Sequence, residues 1–120
     1  MGDELNSPIR EPPVLGVEAR NGAMVVRLAG ELDLYNAEDV RGALAQALGA
    51  DPTRIVVDLS EVQFVDSTAL GVLIEARSKL GRGDLRLAGL RLETRRTLQV
   101  SGLDRHLPVH DTVDDALGAG

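Results

Sequence analysis

The run Arg54-Ile55-Val56-Val57-Asp58-Leu59-Ser60 constrains this chain most. It is rich in β-branched side chains and only Asp58 interrupts its apolar character, the pattern of a strand covered on both faces and therefore central in a sheet. After the link Glu61-Val62-Gln63-Phe64-Val65, the segment Asp66-Ser67-Thr68-Ala69-Leu70-Gly71-Val72-Leu73 sets a polar cap directly before an almost wholly apolar helix start. The side-chain oxygen of Asp66 or Ser67 can satisfy the unpaired N–H groups of that first turn. The same groups suit a phosphate. The helix is expected from Ser67 to Leu80, stopped by Gly81 and Gly83, with a further strand from Asp84 through Ala88.

Upstream, Val14 to Glu18 and Ala23 to Ala29 read as two antiparallel strands joined at Asn21-Gly22, since both turn residues tolerate positive φ. Asn36 can cap a helix that carries Glu38 and Asp39 in its first turn and Val40, Leu44, Ala47 and Leu48 along one face, ending near Gly49. Downstream, a third helix is expected from Glu93 to Val100, with Thr94 and Thr97 weakening its apolar face. Val109-His110 reads as a short last strand, and Asp111 or Thr112 caps a final helix that presents Val113, Ala116 and Leu117 on one side. This order predicts an α/β fold: a mixed sheet of four to five strands and about four helices, with the helices predominantly on one face. Residues 1–13, with Pro8, Pro12 and Pro13, are expected to be a flexible tail, leaving 14–118 as one domain.

Composition narrows the function. With no cysteine, disulfides, thiolate metal sites and a cysteine nucleophile are excluded. Nineteen acidic against thirteen basic residues give a net charge of −6, which disfavours non-specific attraction to nucleic acid or anionic lipid. One Phe, one Tyr and no Trp leave little for base stacking, so the stripe Arg91, Arg95 and Arg96 reads as a solvated face and no nucleic-acid partner is expected.

The acidic start lacks the features of a secretory signal, and Asn6 stands where a myristoylation motif wants Ser or Thr. No apolar run approaches the ~20 residues of a membrane span. A cytoplasmic protein without direct membrane insertion is the expectation. His106 and His110 are separated by Pro108, which argues against a helical metal pair. Ser67 lacks the Gly-x-Ser-x-Gly elbow of a hydrolase, and no phosphate-cradling glycine loop is present. Glu31 and Asp33 follow Gly30 in what reads as a polar turn, and two carboxylates alone argue for neither catalysis nor a metal. The chain is expected not to be an enzyme, with no catalytic residue, metal or cofactor of its own.

Three segments in register, Gly30-Glu31-Leu32-Asp33, the strand-to-helix unit through Asp66-Ser67-Thr68, and Ser101-Gly102-Leu103, resemble the STAS-domain family and within it the bacterial anti-sigma factor antagonists. The likeness spans roughly 14 to 118. It implies a protein that, unphosphorylated, binds and sequesters an anti-sigma factor which is a serine kinase, freeing a sigma factor for transcription. Ser67 aligns with the phosphoacceptor, Asp66 precedes it as the pattern expects, and Thr68 holds the following hydroxyl position. A metal-dependent serine phosphatase acting on the phosphorylated form is implied as a second partner. Partner contact is implied for the loop Gly30 to Tyr35, chiefly Glu31, Leu32 and Asp33, and for Asp66, Thr68, Ala69 and Leu70.

Ala69 replaces a common Gly, a change that favours helix. The alternative within the family is a constitutive STAS binding subunit of a lipid-transport or sensory complex. A second class, a small-ligand or nucleotide-binding domain, needs a pocket. The apolar first turns of the Ser67 helix are those of a helix either fully buried or waiting for a partner. A monomer is the expected state.

Overall fold

Between Val14–Arg20 (β1) and Ala23–Leu32 (β2), Asn21 and Gly22 adopt φ of +51° and +82°. Two successive left-handed residues make the turn whose twist matches paired strands. A computed structural model describes residues 12–118 of the chain. The flexible tail expected over 1–13 lies, through residue 11, outside the described residues. Pro13 is buried and its carbonyl accepts the Ala29 N–H at 2.9 Å, just ahead of β1.

After the hairpin follow Ala37–Gly49 (α1), Arg54–Val65 (β3), Ser67–Lys79 (α2), Asp84–Ala88 (β4), Leu92–Ser101 (α3), a short 3-10 turn at Leu103–Arg105, Val109–His110 (β5) and Val113–Gly118 (α4). The five strands stand in the order β1-β2-β3-β4-β5; β1 is antiparallel to β2 and the other pairs are parallel. Each parallel crossover steps in the same direction along the sheet, so the right-handed rule puts α1, α2 and α3 on one face. There Val26, Leu28, Ile55, Val57, Leu59, Leu85 and Leu87 of the sheet meet Val40, Leu44, Leu73 and Leu98 of the helices in the main core. The helix α4 covers the opposite face, where Val25, Val56 and Ala88 pack on Ala116 with Val113 and Leu117 alongside. That double coverage is what the β-branched run of β3 requires.

Three local expectations differ from what forms. The link Glu61–Val65 is part of β3: Val62 and Val65 are buried while Glu61, Gln63 and Phe64 face outward, and Ala29 to Leu32 pair with it across two register shifts. Asn36 precedes α1 without capping it, because its side chain is engaged in the preceding loop. Thr94 and Thr97 do not spoil α3; Thr94 is buried, and the Thr97 hydroxyl donates to the Glu93 carbonyl at 3.0 Å. Of the two alternatives for the apolar first turns of α2, burial is what forms: Ala69, Leu70, Val72, Leu73 and Ala76 are all buried.

Polar ties fix the helices. Arg41 of α1 donates from Nε to Glu75 of α2 at 3.2 Å. That bond, with a second from Lys79, holds the Glu75 carboxyl below its ordinary value. Behind the sheet, Arg54 donates to the carbonyls of Ala116 and Leu117 at 3.3 and 3.0 Å, and Arg86 to that of Ala116 at 3.4 Å, anchoring the C-terminal end of α4. Asp84 accepts from the Nε of both arginines, at 2.9 and 2.8 Å. Burial opposes its ionisation, yet the two guanidinium hydrogen bonds prevail and hold its carboxyl below the usual value. Thr112 caps α4, its hydroxyl accepting the Asp115 N–H at 3.0 Å.

Candidate functional site

The ends of β2 and β3 lie side by side, with Glu31 opposite Phe64 and Leu32 opposite Val65. This brings the β2–α1 loop against the start of α2. Gly30, at φ +77°, supports the shift of register between Gly30 and Glu31, a conformation that costs a residue with a Cβ. Asp66 is the joint. Its backbone N–H donates to the Leu32 carbonyl at 3.0 Å. One carboxylate oxygen accepts the Ala69 N–H at 2.9 Å and caps α2, while the other accepts the Leu34 N–H at 3.1 Å.

The loop is also braced from within. Asn36, only 8% exposed, accepts the Asp33 N–H on Oδ1 at 2.9 Å and donates from Nδ2 to the Glu31 carbonyl at 2.7 Å. Asp33 accepts the Tyr35 N–H at 3.0 Å. These bonds satisfy the inner polar groups of the loop and leave its Leu34, 63% exposed, and Tyr35, 86% exposed, facing water, and Phe64 on the neighbouring β3 is 50% exposed. Holding such groups in water on a braced loop is the pattern of a contact surface.

Ser67 is exposed as the first residue of α2, and no partner engages its hydroxyl among the described residues. Because Asp66 does the capping, the serine oxygen is left free. Beside it runs an open groove of about 520 Å³ lined by Ser67 and Leu70 of α2 and by Glu93, Arg96, Thr97, Val100 and Ser101 of α3.

Of the residues singled out from the sequence, Glu31, Asp33, Asp66, Ser67 and Thr68 gather at this end, with Glu31 and Ser67 exposed and the other three half-buried. Leu32 and Ala69 are buried in the core, where the ladder of β2 and the first turn of α2 point them. Leu70 is also buried, reaching the surface as the groove floor. The residues the reading missed are Phe64 and the α3 wall, Arg96, Thr97 and Val100. One signal was available: the chain has a single Phe and a single Tyr, and both stand exposed at this end. His106 and His110 lie elsewhere, and among the described residues no group of three His, Cys, Asp or Glu is placed to hold a metal ion. No helix among them is long and apolar enough to cross a membrane.

The family model of the STAS domain matches residues 15–116. The chain belongs to the STAS domain family. It is similar to the anti-sigma-F factor antagonist RsfB of Mycobacterium tuberculosis, with 32% identity over 102 residues that cover 84% of each chain. The crystal structure of an anti-sigma factor antagonist from Mycobacterium paratuberculosis matches with a TM-score of 0.83 and 33% identity, over 92% of this STAS domain chain and 97% of that one. The Bacillus cell fate determinant SpoIIAA, solved in the phosphorylated form, matches with a TM-score of 0.66 and 25% identity, over 87% and 96% of the two chains.

Proposed function

We propose that this STAS domain is an anti-sigma factor antagonist that binds a serine-kinase anti-sigma factor in the cytoplasm, freeing a sigma factor, and that phosphorylation at Ser67 ends the complex. The observation that carries the reading is an exposed Ser67 hydroxyl, free of partners among the described residues, at a helix mouth beside a braced loop that holds Leu34 and Tyr35 in water. The surface offered to the anti-sigma factor is Glu31, Asp33, Leu34, Tyr35 and Phe64 with the Ser67–Thr68 corner. Names of relatives support the same partner class.

In the inactivating step the Ser67 Oγ attacks the γ-phosphorus of ATP held by the kinase, ADP leaves, and the hydroxyl proton passes to a base of the kinase. The phosphate brings about −1.5 to −2 charges to a corner that already carries Asp66 and Glu31. Set against an acidic group of the anti-sigma factor, that charge costs several kcal/mol at the interface, and about 3 kcal/mol is already more than a hundredfold in affinity. The N–H groups at the start of α2 tolerate the anion, so the fold need not change. A metal-dependent phosphatase would restore the binding form by hydrolysing the Ser67 phosphate.

The test is transfer of one phosphoryl group. Incubated with its anti-sigma factor and ATP, the wild-type chain should gain one phosphate, mapped to Ser67 by fragmentation, and Ser67→Ala should gain none. Equal phosphorylation of Ser67→Ala would overturn the assignment. Equal capture of the same partner by wild type, Ser67→Ala and Ser67→Asp would favour a constitutive subunit instead.

A further inference from the structure

Six of the eleven arginines among the described residues are engaged. Arg20 pairs with Asp114, Arg41 with Glu75, Arg54 and Arg86 with Asp84, and Arg95 with Asp111, while Arg91 donates to the Ser60 carbonyl. Arg96 forms no such bond among the described residues, and it is exposed. It is also the one cation among the residues that line the groove with Ser67. We propose that a phosphate on Ser67 is held by Arg96 across the groove between α2 and α3, so that the modified residue fills the groove instead of standing free in water. The inference rests on the reading of Ser67 as the phosphoacceptor.

The chemistry of the groove supports this pairing. A guanidinium offers a planar fork of donors that matches phosphate oxygens, and an unpaired one surrenders no existing ion pair on binding. Glu93, one turn before Arg96 on the same wall, is the only carboxylate among the lining residues and opposes the anion. The hydroxyls of Thr97 and Ser101 are committed to the carbonyls of Glu93 and Leu98 at 3.0 Å each, which leaves Arg96 as the strong donor. A phosphate drawn over the groove covers the exposed Val100, so modification removes apolar contact area as well as adding charge. An Asp at position 67 is shorter than phosphoserine and carries less charge. It therefore reproduces the repulsion but not the occlusion.

The test installs phosphoserine at position 67 during translation, which makes it independent of any kinase, in the wild-type chain and in Arg96→Gln, Arg96→Lys and Glu93→Gln. Phosphorus NMR titration then reads the second ionisation of the phosphate, ordinarily near pH 6. Pairing with Arg96 should place the wild-type value about half a unit below that of Arg96→Gln, roughly a threefold change in proton affinity. Arg96→Lys should fall between, and Glu93→Gln should lie lowest. Thermal melts of the unmodified variants should coincide, as befits exposed positions.

Identical phosphorus titrations in wild type and Arg96→Gln would overturn the pairing. The underlying reading fails separately: if the phosphoserine chain still binds its anti-sigma factor as tightly as the unmodified chain, Ser67 is not the switch, whatever the phosphorus signal shows.

Discussion

Asp66 joins two backbone segments with one carboxylate, and substituting it should separate the two jobs. One oxygen caps α2 through the Ala69 N–H and the other ties the β2–α1 loop through the Leu34 N–H. Asp66→Ala removes both. Loss of an N-cap costs typically about 1 kcal/mol. The Leu34 bond sits at an exposed loop where water replaces it in part, so about 0.5–1 kcal/mol is reasonable for that tie. The sum is about 1.5–2 kcal/mol, provided the two add.

Asp66→Ser keeps a good capping oxygen but has only one side-chain acceptor, so it should lose the loop tie alone, about 0.5–1 kcal/mol. Urea unfolding at neutral pH, followed by far-UV circular dichroism, gives both differences from the midpoints at constant slope. Amide exchange at Leu34 and Tyr35 should accelerate in both variants. A stability for Asp66→Ala equal to that of Asp66→Ser, or an unchanged exchange rate at Leu34, would refute the claim that this carboxylate serves two segments.

Other outcomes follow from the same geometry. Tyr35→Ala and Phe64→Ala should leave the melting temperature within about 2 °C of wild type, because both side chains are exposed. Each should weaken capture of the anti-sigma factor at least tenfold in a titration, and full retention of affinity by both would remove the loop from the contact surface. Asp84 should confer an acid-dependent increment of stability. Its folded carboxyl titrates below its ordinary value, so the increment is fully present above the unfolded value near 3.9 and is lost as pH falls through the lower folded value. The stability of Asp84→Asn should therefore lie below wild type at pH 7 and converge toward it below about pH 4; a constant gap across that range would contradict the origin assigned to the shift.

The parts of this fold written in local chemistry were legible in the sequence. Asn21-Gly22 announced its turn because few residue pairs accept two positive φ values in succession, and the β-branched run of β3 announced a covered strand. The links that failed depend on distant partners. Glu61 to Val65 reads as a polar connection until β2 supplies a neighbour across a shifted register. Asn36 stands at a helix start like an ordinary cap, yet its amide is drawn back to Glu31 and Asp33 by a loop whose path the local sequence does not state.

The site divides the same way. Ser67 and Asp66 were visible as a polar mouth before an apolar helix, because capping is local. Leu32 and Ala69 are buried, which the local sequence does not state, because burial in β2 and α2 depends on the pleat and on helix rotation against the sheet. The α3 wall went unnoticed because nothing in the order of residues says that Arg96 and Ser67 share a groove.

Partner affinity before and after modification tests the central claim most directly. Isothermal titration of the purified anti-sigma factor into the unmodified chain, and into the chain carrying phosphoserine at 67, compares two proteins that differ in a single phosphate. A loss of at least a hundredfold in affinity, with unchanged far-UV circular dichroism, is the expected result. Equal affinity of the two forms would contradict the switch at Ser67.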